Sequence, residues 1–157
     1  MHEIELNEYE QEIVRRVAKD RYETSRAMGI PDGKLGPQSH EFTDLNGMGA
    51  EMAYCKLMNI YPDLETGLST PDFDCVTRLG AKIDVKATKY KTGHLLATLN
   101  KKGKPPDRYV LVIGEFPKYS IVGEVKADEL LQEGNLKNFG WGMAYALTQD
   151  QLNPIKE

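Results

Sequence analysis

The sequence predicts an α/β domain in which a mixed β-sheet is flanked by α-helices, and three observations carry that prediction. Two long helical segments open the chain, the second apolar on nearly every side. A pair of alternating strands around a glycine turn follows, between Phe73 and Thr88. The run Tyr109 to Phe116 is then almost continuously apolar, as expected of a strand covered on both faces. Helix, helix, strands, helix, strand is an order that packs as a layered α/β unit. With 157 residues and 40% apolar content, the chain can bury a core without disulfide or metal staples, so one domain over 1–157 is expected.

Asn7 and Glu10 form a capping-box pair that starts a helix expected to run to Met28 and stop at Gly29. Tyr9, Ile13, Val17 and Tyr22 suggest its inward stripe, while Arg15, Arg16, Lys19, Arg21 and Arg26 read as solvated surface. Pro31, Gly33, Gly36 and Pro37 make Ile30 to Thr43 a long loop, which completes an N-terminal part, 1–43. Asp44 is the candidate N-cap of a second helix reaching about Asn59. Gly47 and Gly49 are costly inside a helix and point to close approach of another backbone or a substrate.

After a turn-rich connection from Tyr61 to Pro71, Phe73 to Arg78 and Lys82 to Thr88 read as a hairpin around Leu79-Gly80-Ala81. Thr98 to Asp107 is polar and loop-like, and Tyr119 to Lys126 is a further strand that closes a central core, 44–126. In the remainder, 127–157, Ala127 to Leu131 begins a short helix and Trp141 to Leu147 forms a last strand.

Cys55 and Cys75 have no CxxC or HxxxH partner and read as reduced, buried thiols of an intracellular, cytoplasmic protein. The amino terminus lacks a basic and apolar leader, and no apolar run is long enough to cross a bilayer, so no membrane partner is expected. The net charge of −4 argues against a protein that merely coats nucleic acid. It is unevenly placed: residues 82–108 carry eight basic side chains against two acids, +6 in all, which leaves −10 on the rest. Such a segment is either a solvated lysine-rich surface or the wall of a phosphate-binding site.

The residues that favour the second reading are acids. In an extended strand Ile83 and Val85 enter a core while Asp84 and Lys86 project from the other side. With a three-residue turn Asp74 faces Lys86 and shares that surface; with a two-residue turn it moves to the opposite face. Glu51 lies one turn from Met48, Tyr54 and Cys55 and two from Met58, where an unpaired carboxylate is costly, so a metal ion, an internal lysine or an opening to water must compensate it. Two acids and an amine beside a basic segment are the components of a metal-dependent phosphodiesterase. The bland alternative is a surface hairpin with Asp84 and Lys86 on its solvent face.

Asp74 followed by Asp84-Val85-Lys86, with Glu51 on a preceding helix, resembles the PD-(D/E)XK nuclease superfamily over roughly residues 44–126, and the whole chain is similar to its small members carried by bacteriophages. The resemblance implies a restriction-endonuclease-like mixed sheet core. It also implies Mg²⁺ or Mn²⁺ held by Asp74, Asp84 and the Val85 carbonyl, with Glu51 completing the site and Lys86 orienting the attacking water or stabilising phosphate charge. Pro71-Asp72 matches the family's proline-acid pair, which keeps Asp72 in reserve as first ligand. Lys89, Lys91, His94, Lys101 and Lys102 are the candidates for contacting nucleic acid; His94 reads equally as an ordinary loop residue. The expected activity is hydrolysis of phosphodiester bonds, most readily in DNA, with weak sequence preference. A Holliday-junction resolvase acting as a homodimer, and a non-cutting nucleic-acid- or protein-binding module, are the alternatives.

Overall fold

The computed structural model describes residues 1–29, 40–67 and 72–156. Strand β1 (His2–Glu5) leads into helix α1 (Glu8–Ala27), whose capping box is formed on both sides: Glu10 N–H donates to Asn7 Oδ1 (2.9 Å) and Asn7 N–H to Glu10 Oε1 (2.7 Å). The helix ends at Met28, and Gly29 takes φ +68°, as expected. Its inward stripe is Val14, Val17 and Ala18. Tyr9 and Ile13, expected inside, are exposed, because the buried stripe starts one residue further round the helix.

Helix α2 spans His40–Met58, so Asp44 lies inside it and is not its N-cap. Of the loop expected from Ile30 to Thr43, residues 30–39 fall outside the described residues, and residues 40–43 are helical. The close approach read from the glycines holds at Gly49 alone, and what approaches is a side chain. A Cβ there would overlap the Tyr119 hydroxyl and come within 2.8 Å of its Cζ, whereas one at Gly47 would meet nothing. Tyr119 Oη donates to Asn46 O (3.2 Å), and the Asn46 amide spans Gly114 O and Phe116 N–H at 3.0 Å each, which pins α2 to the sheet. Gly49→Ala is therefore expected to cost about 1–3 kcal/mol in a urea melt, partly recovered with Tyr119→Phe. A Gly49→Ala protein as stable as wild type would rule this packing out.

The main sheet has five strands in the order β1–β6–β5–β3–β2, with β2 at Cys75–Val76, β3 at Lys82–Thr88, β5 at Arg108–Glu115 and β6 at Lys118–Lys126. Only β3 and β5 run parallel; the other pairs are antiparallel. Between β3 and β5 the chain forms β4 (Leu95–Ala97) and then, inside the stretch from Thr98 to Asp107 expected to be loop, a 3₁₀ turn at Leu99–Lys102. Beyond β6, the single helical turn α3 (Ala127–Leu130) precedes β7 (Leu136–Asn138) and β8 (Met143–Leu147), and β4–β8–β7 make a second, three-stranded sheet. Trp141, expected to open the last strand, lies in the β7–β8 turn instead.

The five-stranded sheet is buried on both faces. Val110, Val112, Ile83 and Val85 join α1 and α2 in one core; Tyr109, Leu111 and Ile113 join β4, β8 and α3 in another. A bulge opposite Leu111/Val112 lets β6 send Ile121 to the first core and Val125 to the second. The result is helices, a mixed sheet and a small sheet in three layers.

Candidate active site

Strand β3 sorts its side chains as alternation requires. Ile83 and Val85 are buried beneath the helices, and Asp84 and Lys86 emerge on the side of the small sheet. Asp84 is 3% exposed, with Lys86 Nζ 2.6 Å from Oδ1 and Lys101 Nζ, from the 3₁₀ turn, 3.1 Å from Oδ2. Lys86 also lies over the Tyr109 ring, at 5.9 Å from its centroid.

The hairpin closes through residues 77–81, with Cys75 opposite Ile83 and Val76 opposite Lys82. The turn holds three residues, 78–80, one position earlier than expected: Thr77 N–H donates to Ala81 O (2.9 Å), its carbonyl accepts from Gly80 N–H (2.9 Å) and its hydroxyl from Ala81 N–H (3.1 Å). Asp74 immediately precedes the two paired residues of β2. Its N–H donates to Ile83 O (2.8 Å), and its Oδ2 accepts from Val85 N–H (2.6 Å). The carboxylate thus lies along the β3 edge, near enough to Asp84, Lys86 and Lys101 for their charges to act on it. A residue's N–H and C=O point to the same edge of an extended strand, so the Val85 carbonyl faces this edge too.

Glu51 approaches from the helix layer. Within the chain its compensating partner is an arginine and not a lysine: Arg21 Nη1 stands 3.4 Å from Oε2. The other Arg21 contacts are to Glu65 O (2.9 Å), Asp63 O (2.8 Å) and Met48 Sδ (3.3 Å), so this arginine is not the solvated surface residue its helix pattern suggested. Arg21→Ala is expected to lower stability by about 2–4 kcal/mol and to open residues 60–67 to limited proteolysis. Unchanged cleavage kinetics and melting would show that the guanidinium does not hold this segment.

Burial pushes the Asp74 carboxyl up to about 6, Asp84 adds to the rise, and the Val85 N–H, Lys86 and Lys101 oppose it. Burial and then Asp74 also hold Glu51 well above the usual carboxylate range, against the pull of Arg21. The three acids therefore form a line around the strand: Glu51 on one side of the sheet, Asp74 at its edge, Asp84 on the other side. That arrangement explains why, among the described residues, no three His, Cys, Asp or Glu side chains converge as a metal cage. The donors that the edge and the adjoining face offer are all hard oxygens: the Asp74 and Asp84 carboxylates and the Val85 carbonyl. That set suits Mg²⁺ or Mn²⁺ over softer ions.

Lys86 and Lys101 also line an open cleft of about 890 Å³ between the start of α2, the end of β3, β4 and the β7–β8 turn. Among the described residues no carboxylate lines it, although the protein is net acidic. Lys89 and His94 lie on its walls. Lys91 and Lys102 are exposed and outside the lining, and Asp72 is exposed at the strand entry. Pro71 lies outside the described residues.

No family model, curated protein or solved structure matches this chain. Cys55 and Cys75 are free and buried, and the Cys55 side chain and burial push the Cys75 thiol up. Among the described residues no helix is long and apolar enough to cross a membrane. The cleft-wall residues that sequence reasoning missed are Phe139 and Trp141, whose signal was the glycine on either side of the tryptophan.

Proposed function

We propose that this chain is a metal-dependent nuclease of the PD-(D/E)XK kind, built on a restriction-endonuclease-like core and hydrolysing phosphodiester bonds of nucleic acid, DNA first, with weak sequence preference. The observation that carries the reading is Asp84: a buried carboxylate contacted by Lys86, between an edge acid and a cleft with positive walls. Asp74, Asp84 and the Val85 carbonyl would hold Mg²⁺ or Mn²⁺, and Glu51 would reach it through water from the far side of Asp74. When bound, the cation supplies an acidified water and polarises the scissile phosphate.

The chain's own residues do the rest. Lys86, exchanging Asp84 for a phosphate oxygen, stabilises the charge that grows there, and Lys101 and Lys89 hold the neighbouring phosphates. Cleaving both strands of a duplex would take two such sites, hence a homodimer, the state a junction resolvase also needs. The free, buried Cys55 and Cys75 support a cytoplasmic setting.

A non-cutting binding module is the second reading, favoured by the fact that both Asp84 oxygens already have a lysine partner. Labelled linear, circular single-stranded and branched DNA, and RNA, incubated with Mg²⁺, Mn²⁺ or EDTA, separate the two. Metal-dependent cutting lost in Asp84→Asn and Lys86→Met supports the nuclease. Binding without any cutting leaves the module.

A further inference from the structure

The β7–β8 turn carries the feature that the catalytic reading does not use. Gly140 (φ +85°) and Gly142 (φ +155°) adopt backbone that other residues resist, Phe139 N–H donates to Gly142 O (2.9 Å), and Gly140 N–H donates to Asn138 Oδ1 (2.8 Å). This bonded turn brings Phe139 and Trp141 together as a parallel pair, ring centroids 5.4 Å apart and planes 12° apart, with His94 edge-on to Phe139 at 6.5 Å. Trp141 is nevertheless 46% exposed, and both rings line the cleft. Tyr90, 54% exposed, stands on the same cleft wall with Lys89 Nζ 5.6 Å from its ring.

A rigid, half-exposed aromatic pair facing lysines with no lining carboxylate matches what unpaired nucleotides require. The flat faces stack on bases of any sequence, and the cations follow the phosphates. Bases inside a duplex are already stacked on one another and offer no free face. A small apolar ligand would have no use for the lysines. We propose that the Phe139–Trp141 pair is a stacking platform for unpaired bases, so that the cleft takes a single strand, or the frayed or branched part of a duplex, and leads its phosphates past Lys86 and Lys101 to Asp84. This rests on nucleic acid being the cleft's ligand, but not on the bond being cut.

Trp141 is the chain's single tryptophan, which makes its fluorescence a direct reporter. The wild-type protein is titrated in EDTA with an oligothymidylate of about 15 nucleotides, its uridylate counterpart, and a blunt duplex of the same length. The expected result is quenching by the oligothymidylate and little by the duplex. By anisotropy, Trp141→Ala should bind the single strand about 5- to 100-fold more weakly, with Trp141→Phe close to wild type and the dependence on salt preserved. Equal binding of the uridylate means the platform does not read the sugar and supports the proposal. Single-strand binding without quenching, an unweakened Trp141→Ala, or preference for the blunt duplex overturns it. A parallel Mg²⁺ incubation keeps the two ideas apart: cutting of duplex without single-strand binding sinks the platform and spares the nuclease, and tight quenched binding without cutting does the reverse.

Discussion

Asp84→Asn is expected to slow Mg²⁺-dependent cleavage by at least about 100-fold while the protein stays folded. The amide keeps the size of the carboxyl and one oxygen acceptor, so what changes is the charge and one acceptor that becomes a donor facing a lysine. A metal ligand contributes several kcal/mol to stabilising the charge of the reacting phosphate, and each 1.4 kcal/mol is roughly tenfold in rate. Stability should move by no more than about 2 kcal/mol, for two opposed reasons. Lys86 and Lys101 lose a charged partner, but their side chains are 30% and 29% exposed and can turn to water. Asp74 at the same time loses the like charge that helps raise its proton affinity. Cleavage of labelled DNA alongside a thermal melt checks both halves, and a folded variant that cuts at the wild-type rate would remove Asp84 from the site.

Asp74→Asn is expected to make the protein more stable at neutral pH and inactive. The folded carboxyl titrates near 6, whereas an unfolded aspartate titrates near 3.8. Between those values the folded chain holds a proton that the unfolded chain has released, so stability falls as pH rises through this window. Below it there is no penalty; above it the buried charge costs roughly 2–3 kcal/mol. Asparagine never ionises and still offers an oxygen to the Val85 N–H. The variant should therefore match wild type near pH 4 and exceed it by that amount near pH 7.5, in denaturant melts across the range. Saturating Mg²⁺ should narrow the gap by stabilising wild type alone, by up to about 2.7 kcal/mol at 100 times the dissociation constant. A gap of constant size from pH 4 to 8 would mean that Asp74 does not titrate there.

Strand β3 shows how far the sequence could be read. The alternation of Ile83, Asp84, Val85 and Lys86 set which side chains go to which face, because side-chain direction is a local property of extended backbone. The position of Asp74 depended on its own bonds to Ile83 and Val85, contacts that no spacing rule encodes. The need of Glu51 for a counter-charge was legible in its apolar neighbours, yet the identity of Arg21, thirty positions upstream, was not. Strand β1 escaped notice because His2–Glu5 is polar at every position but Ile4, which alone leans inward, and it acquires strand structure from pairing with β6. The three-residue strands β4 and β7 are likewise too short to carry a periodic signal.

Strand β2 pairs with only Ile83 and Lys82, so among the described residues no strand covers that side of β3 from Asp84 onward. Backbone left open in this way invites a second molecule to add itself as a further strand. Asp74 blocks the first open donor with its carboxylate, and Lys82, Lys86 and Lys89 set like charges along the same strand and just past its end. The acid assigned to catalysis is by this account also a guard against self-association, so selection for chemistry and selection for solubility would act on one side chain.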